Sequence, residues 1–332
     1  MTLAGPPLVA TYRIQVTPAD PLDDVIALLP RLAALGVSHV YTSPLLQATP
    51  GSTHGYDVTD HAVINPELGG ARALDRLHAE LERLGMGHVL DIVPNHMAVG
   101  HPANRWWWDV LKHGPESRFA RHFDIDWDPD VTPSGEQQVL VPVLGTDTPR
   151  SSNGTRSRWR PWATTSWSAT TTTSSRSVPR RIGSPPIAAG ELPASTTSWI
   201  VSTTACVVAD RGPRNSTTPL LRRHHARRTA SRSPDVFADV HRLALDGVRR
   251  GRVHGLRVDH PDGLRNPRAY FDRLAGAAPS TWIVGEKILE HGEELRRDWS
   301  VHGTTGYDFA TEVTGVLIDP SVRRPSTGSG PR

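Results

Sequence analysis

The sequence predicts an α/β fold built on a parallel sheet, and three observations carry that reading. Strand-like runs alternate with amphipathic helical runs over residues 1–147 and again over 234–319. The connections between them are short. The strand runs are short and apolar, as parallel strands covered on both faces should be. At 332 residues the chain is long enough for one large α/β domain or two ordinary ones.

The elements run in chain order. LVATYRIQV (8–16) is a candidate strand. DPLDDVIALLPRLAALG places apolar residues at helical spacing and closes on Gly36. VSHVYTSPL is a second strand, and ARALDRLHAELERLG a second amphipathic helix closed by Gly85. GHVLDIVPNH is a third strand. The rhythm resumes with PDVFADVHRLALDGVRRG as a helix, GLRVDH as a strand and RAYFDRLAGA as a helix. TWIVGEKIL then reads as a strand and EHGEELRRDW (290–299) as a short helix.

Residues 148–233 break the pattern. They are rich in Ser, Thr, Arg and Pro, and Glu191 and Asp210 are their only acids. Such composition describes a disordered linker, but Trp159, Trp162, Trp167 and Trp199 do not suit one. A reading-frame error in the gene accounts for both features.

Composition removes several functions. A net charge of +3 by itself points to no partner. Lys112 and Lys287 are the only lysines, so the abundant arginine reflects GC-rich coding and not a phosphate-binding surface. The Arg-rich middle is accordingly not read as a nucleic-acid arm. Cys206 is the single cysteine, which rules out a disulfide framework within the chain. Neither a secretion signal nor a membrane-spanning run is apparent, so the expectation is a cytoplasmic protein with no membrane partner.

Polar groups end three strands, and in a barrel of βα units such ends form the active site. DIVPNH ends in Asn95 and His96, GLRVDH in Asp259 and His260, and TWIVGEKIL carries Glu286. Alone, each has an ordinary structural explanation: a paired carboxylate, a salt-bridge partner, a satisfied core histidine. Together, two carboxylates on neighbouring strands suit glycosidic chemistry, in which one attacks the anomeric carbon and the other protonates the leaving oxygen. A retaining pair lies about 5–5.5 Å apart, and adjacent strands lie about 4.8 Å apart. Arg257, two residues before Asp259, shares its face. Its charge is expected to lower the pKa of Asp259 and keep it ionised, and Glu286 is expected to be pushed toward its neutral acid form.

DIVPNH, GLRVDH and the glutamate strand resemble three conserved regions of the α-amylase superfamily. TYRIQ, YTSPLLQATPGSTHGYDVTDH, INPELGG, GLRVDHPDGL, GEKILE and HGTTGYDF resemble, more narrowly, the maltooligosyltrehalose synthase family, over roughly 1–147 and 234–319. The resemblance implies a (β/α)8 TIM barrel of the α-amylase type, incomplete at about its first five to six βα units, with an insert after strand 3. Residues 1–96 would begin the barrel and 97–147 the insert. Residues 148–233 would be the aberrant segment. Residues 234–319 would hold strands 4–5 and the next part of the barrel, and 320–332 an aberrant tail.

The resemblance also assigns roles. Asp259 would be the nucleophile and Glu286 the general acid/base. Arg257 and His96 would contact a bound glucose ring and Tyr56 would stack on it. His260 would serve the reducing-end glucose. Asp57 and His54 divide evenly between ligand contact and bracing of their loop, and Asp91 and Asn95 would support the strand end. Among Trp106, Trp107 and Trp108 one could be a sugar platform, with packing the role of at least two. The implied reaction converts the reducing-end α-1,4 linkage of a maltooligosaccharide to an α,α-1,1 linkage by intramolecular transglucosylation. It needs no metal or organic cofactor. An α-amylase-type hydrolase and a non-catalytic remnant are the alternatives.

Three departures qualify this picture. Gly285 replaces the valine usual in the VEKIL form of the glutamate strand. The family supplies a third catalytic Asp on a later strand, and no residue here can be named for it. Leu220–Ser231 (LLRRHHARRTAS) has synonymous codons that, read from the second base, give the family-like FFDVTTLAGLR. Shorter cases at 202–205 and 214–218 use another offset, so the frame is lost near Thr148 and regained near Pro234. A barrel lacking strands leaves open edges. The chain alone is therefore expected to fold poorly and show little or no mutase activity.

Overall fold

Five short parallel strands lie side by side in the order in which the chain makes them: β1 (Thr11–Ile14), β2 (His39–Thr42), β5 (Gly87–Ile92), β10 (Gly255–Val258) and β11 (Trp282–Gly285). The structure is a computed structural model that describes residues 3–125, 127, 158–162, 166–170, 226–228 and 233–318. Each strand pairing next to its predecessor is the progression of a βα barrel, whereas a doubly wound sheet reverses direction at a switch point.

Helices cross between the strands. α1 (Leu22–Ala34) joins β1 to β2. It turns Leu22, Val25, Leu29 and Leu32 inward, and Gly36 at φ +83° comes just after its end. A hairpin, β3 (Leu46–Ala48) and β4 (Val58–Ile64), and α2 (Gly70–Arg83) lie between β2 and β5. α2 buries Ala73, Leu77, His78 and Leu81. β6 (His96–Ala98) and α3 (Arg105–His113) come after β5. β7 (Arg158–Trp162) and β8 (Ser166–Thr170) form a hairpin, and β9 (Ala226–Arg228) pairs antiparallel with β6. α4 (Pro234–Arg249) leads into β10, α5 (Pro267–Ala277) into β11, and α6 (Tyr307–Val316) ends the described chain.

The core has two main parts. One joins α1 and α2 to Val40 and Leu45, and the other joins α4 and α5 to Leu256, Val258, Ile283 and Trp299. Period-two alternation sends Leu256 and Val258 toward the helices, leaving Arg257 and Asp259 on the opposite face.

The helix expected over 290–299 does not form. Gly292 sits at φ +81°, which a right-handed helix cannot accommodate, and Glu293 closes a turn on Glu290 (N···O 2.9 Å). Lys287 draws Glu293 aside at 2.8 Å into an ion pair. The frame-break strings at 202–205 and 214–218, most of Leu220–Ser231 and the tail 320–332 lie outside the described residues.

Candidate active site

Arg257 is the centre about which the site is organised. Register sets it opposite Asp91 of β5 on one side and Val284 of β11 on the other. The ladder runs one step past the strands: Asp259 N–H donates to Ile92 O and Glu286 N–H to Val258 O, both at 2.9 Å. Asp259 and Glu286 therefore emerge together at the carboxyl ends of adjacent strands.

The guanidinium holds three carboxylates. Nη1 lies 2.8 Å from Asp91 Oδ1 and 2.9 Å from Asp259 Oδ1, and Nη2 lies 2.7 Å from Glu286 Oε1. The Asp91 side chain is wholly buried, and those of Arg257, Asp259 and Glu286 are 5%, 10% and 22% exposed. Asp91 Oδ2 accepts from Tyr56 Oη at 2.7 Å and Tyr41 Oη at 3.1 Å. Arg13 Nη2 donates to Tyr56 Oη (3.2 Å) and to Gln15 Oε1 (3.0 Å).

The electrostatics correct one expectation. Burial pushes the Asp259 carboxyl up to about 7; Arg257 opposes this, and the charges of Asp91 and Glu286 and a hydrogen bond with Glu286 add to it. Arg257 does attract Asp259, but a single cation is divided among three carboxylates, so it cannot offset desolvation at each. Burial likewise raises Asp91 despite its pairing with Arg257. Burial lowers Arg257, yet Asp91 and the two tyrosines outweigh that and raise it. Burial and the adjacent Asp91 charge raise Tyr41 and Tyr56, which stay neutral hydrogen-bond donors.

Around this centre, Asn95 Nδ2 lies 3.1 Å from His260 Nδ1 and 3.4 Å from His96 Nδ1. The two imidazoles meet edge-on at 6.5 Å. Tyr56 has Arg257 5.6 Å from its ring centroid. His54 and Asp57 contact the loop that presents Tyr56: His54 Nδ1 accepts the Tyr56 N–H at 3.1 Å, and Asp57 Oδ1 accepts from Ser52 Oγ at 2.5 Å. Trp106, Trp107 and Trp108 pack in one apolar cluster with Met97, Val110 and Phe123. Trp107 is buried edge-on to Phe123, Trp106 stacks on Phe119 at 5.4 Å, and Trp108 Nε1 donates to His101 O.

Sequence reasoning did not place Arg13, Gln15 and Tyr41 in the site. Asp91 and Arg257 are charged positions inside short buried strands, and buried charges must find one another, whereas Arg13 lies at an exposed position of β1 that carries no such signal. Among the described residues, no three His, Cys, Asp or Glu side chains are grouped as a metal site, and no helix is long and apolar enough to cross a membrane.

Comparison with known proteins shows what the chain is similar to. Residues 19–143 match the family model of the α-amylase catalytic domain. A Mycobacterium tuberculosis protein described as a maltooligosyl trehalose synthase is 36% identical over 337 aligned residues, 97% of this chain and 40% of its own length. The solved maltooligosyltrehalose synthase of Arthrobacter ramosus is 34% identical with a TM-score of 0.71, covering 95% of this chain and 39% of that one. Bacteroides thetaiotaomicron α-amylase SusG is 35% identical over 124 residues, 37% of this chain and 17% of its own. The chain thus spans about 40% of the length of the curated relatives it matches most fully.

Proposed function

We propose that this chain, which resembles the maltooligosyltrehalose synthases along nearly all its length, carries the first five βα units of an α-amylase-type barrel with an insert after the third barrel strand. Its proposed chemistry is conversion of the reducing-end α-1,4 linkage of a maltooligosaccharide to an α,α-1,1 linkage. The carrying observation is that Asp259 and Glu286 end adjacent strands and both carboxylates are held by Arg257.

In this reading Asp259 attacks the anomeric carbon and forms a glycosyl-enzyme as Glu286 protonates the departing glycosidic oxygen. The freed glucose reorients, Glu286 takes the proton from its anomeric hydroxyl, and that oxygen displaces Asp259. Two inversions give net retention. The first step requires an anionic Asp259 and a protonated Glu286. Arg257 and His96 would contact the ring, Tyr56 would stack on it, and His260 would face the reducing-end sugar. His54 and Asp57 would hold the Tyr56 loop, and Asp91 and Asn95 would support the strand ends. The third carboxylate would come from a strand beyond these five.

The test is maltopentaose incubated with the purified chain. A trehalosyl product with loss of reducing ends supports the mutase. A rise in reducing ends supports a hydrolase, which the α-amylase domain match keeps as the second reading. Glucan binding without either product identifies a non-catalytic remnant.

A further inference from the structure

We propose that the His-Pro-Asp-Gly turn after β10 is a clamp that sets the Glu286 side chain, with His260 as its positioning residue. The proposal deepens the carbohydrate reading and rests on it for the role of Glu286. Three successive residues of the turn meet three successive residues at the end of β11. His260 donates its main-chain N–H to Glu286 Oε2 at 3.2 Å. Pro261 Cγ lies 3.6 Å from the point where a side chain on Gly285 would begin. Asp262 Oδ2 accepts from Lys287 Nζ at 3.2 Å.

The first contact depends on an unfavourable backbone. His260 sits at φ +45°, a left-handed conformation that residues with a Cβ seldom adopt. The surroundings hold it there. Gly263 N–H closes the turn on His260 O at 3.1 Å. The imidazole lies so close over Gly263 that a Cβ there would stand 2.3 Å from Nδ1, and Asn95 meets the same nitrogen at 3.1 Å. Lys287 is fixed from its other side by Glu293 at 2.8 Å. Glu286 is thereby held at both oxygens, Oε1 by Arg257 and Oε2 by the His260 amide. An N–H donates more strongly to a carboxylate than to a neutral acid. Left-handed strain retained beside a candidate reacting group is what a positioning device requires.

The experiment is an amide NMR titration of the isotope-labelled full chain from pH 8 to 4, reading the His260 N–H beside the Glu286 carboxyl carbon. The expected result is a His260 amide shift that moves with the Glu286 midpoint and stays still in Glu286→Gln. A His260 amide that does not respond as Glu286 protonates overturns the clamp. His260→Asn, which tolerates the left-handed region, should keep the coupling, and His260→Val should lose it. Loss in the asparagine variant as well overturns the backbone origin. If the valine variant does not fold, the wild-type titration still decides. No glucan is needed for this readout, so the clamp can stand in a chain that makes no trehalosyl product. Conversely, a product can form where the amide stays flat.

Discussion

Arg257 Nη1 lies 2.9 Å from Asp259 Oδ1, yet burial pushes that carboxyl up to about 7. Three carboxylates about one cation leave the site over-supplied with negative charge. Asp259→Asn is therefore predicted to raise stability at pH 8 by about 1–2 kcal/mol, because it removes a desolvated charge while Arg257 keeps two partners. The gain should shrink toward pH 6, where Asp259 is already protonated. Urea midpoints at both pH values measure this; equal gains at both would contradict it.

Arg257→Met should act in the opposite sense. It strands the wholly buried Asp91 with only two tyrosine hydroxyls. Removing one partner of a buried pair costs about 3–5 kcal/mol. Asp91→Asn combined with Arg257→Met should recover part of that loss, and a double-mutant cycle reads the coupling.

Acid should destabilise the fold through its buried histidines. Burial lowers His61 to about 3, His39, His78 and His241 to about 4, and His88 well below its ordinary value. His78 Nε2 meets His88 Nδ1 at 3.1 Å, and both nitrogens of His61 lack a partner. Unfolded histidines titrate near ~6.5. Stability is thus fully present above that pH and is lost as pH falls toward 4, by up to about 1.4 kcal/mol per pH unit for each histidine. Asp259, raised in the folded state, works the other way and gains stability as pH falls through 7. Asp259→Asn should therefore make the acid loss steeper. A pH series of thermal midpoints that is flat between 7 and 5 would contradict the histidine account.

Gly285 tests the packing behind the glutamate. A Cβ there would meet Phe271 Cζ at 3.2 Å, and Phe271 is fully buried against Trp299. Gly285→Ala should cost about 1 kcal/mol alone. Paired with Phe271→Leu it should cost less than the two changes summed, which denaturant midpoints of the four chains would show.

The strands β1, β2, β5, β10 and β11 and helices α1, α2, α4 and α5 were legible because apolar period and glycine stops are local properties. The 290–299 helix was misread for the same reason: its period was helical, but Gly292 and the Lys287–Glu293 pair decided the backbone. α6 and the β3–β4 hairpin carried no decisive local pattern.

Residue type and strand position, both written in the sequence, determined that Asp259 and Glu286 end neighbouring strands and that Arg257 shares a face with Asp259. Only the folded chain decided how charge is distributed among them. The proton affinity of Asp259 depends on burial and on carboxylates from three strands gathered about one guanidinium, and those are distances through space that no local pattern contains.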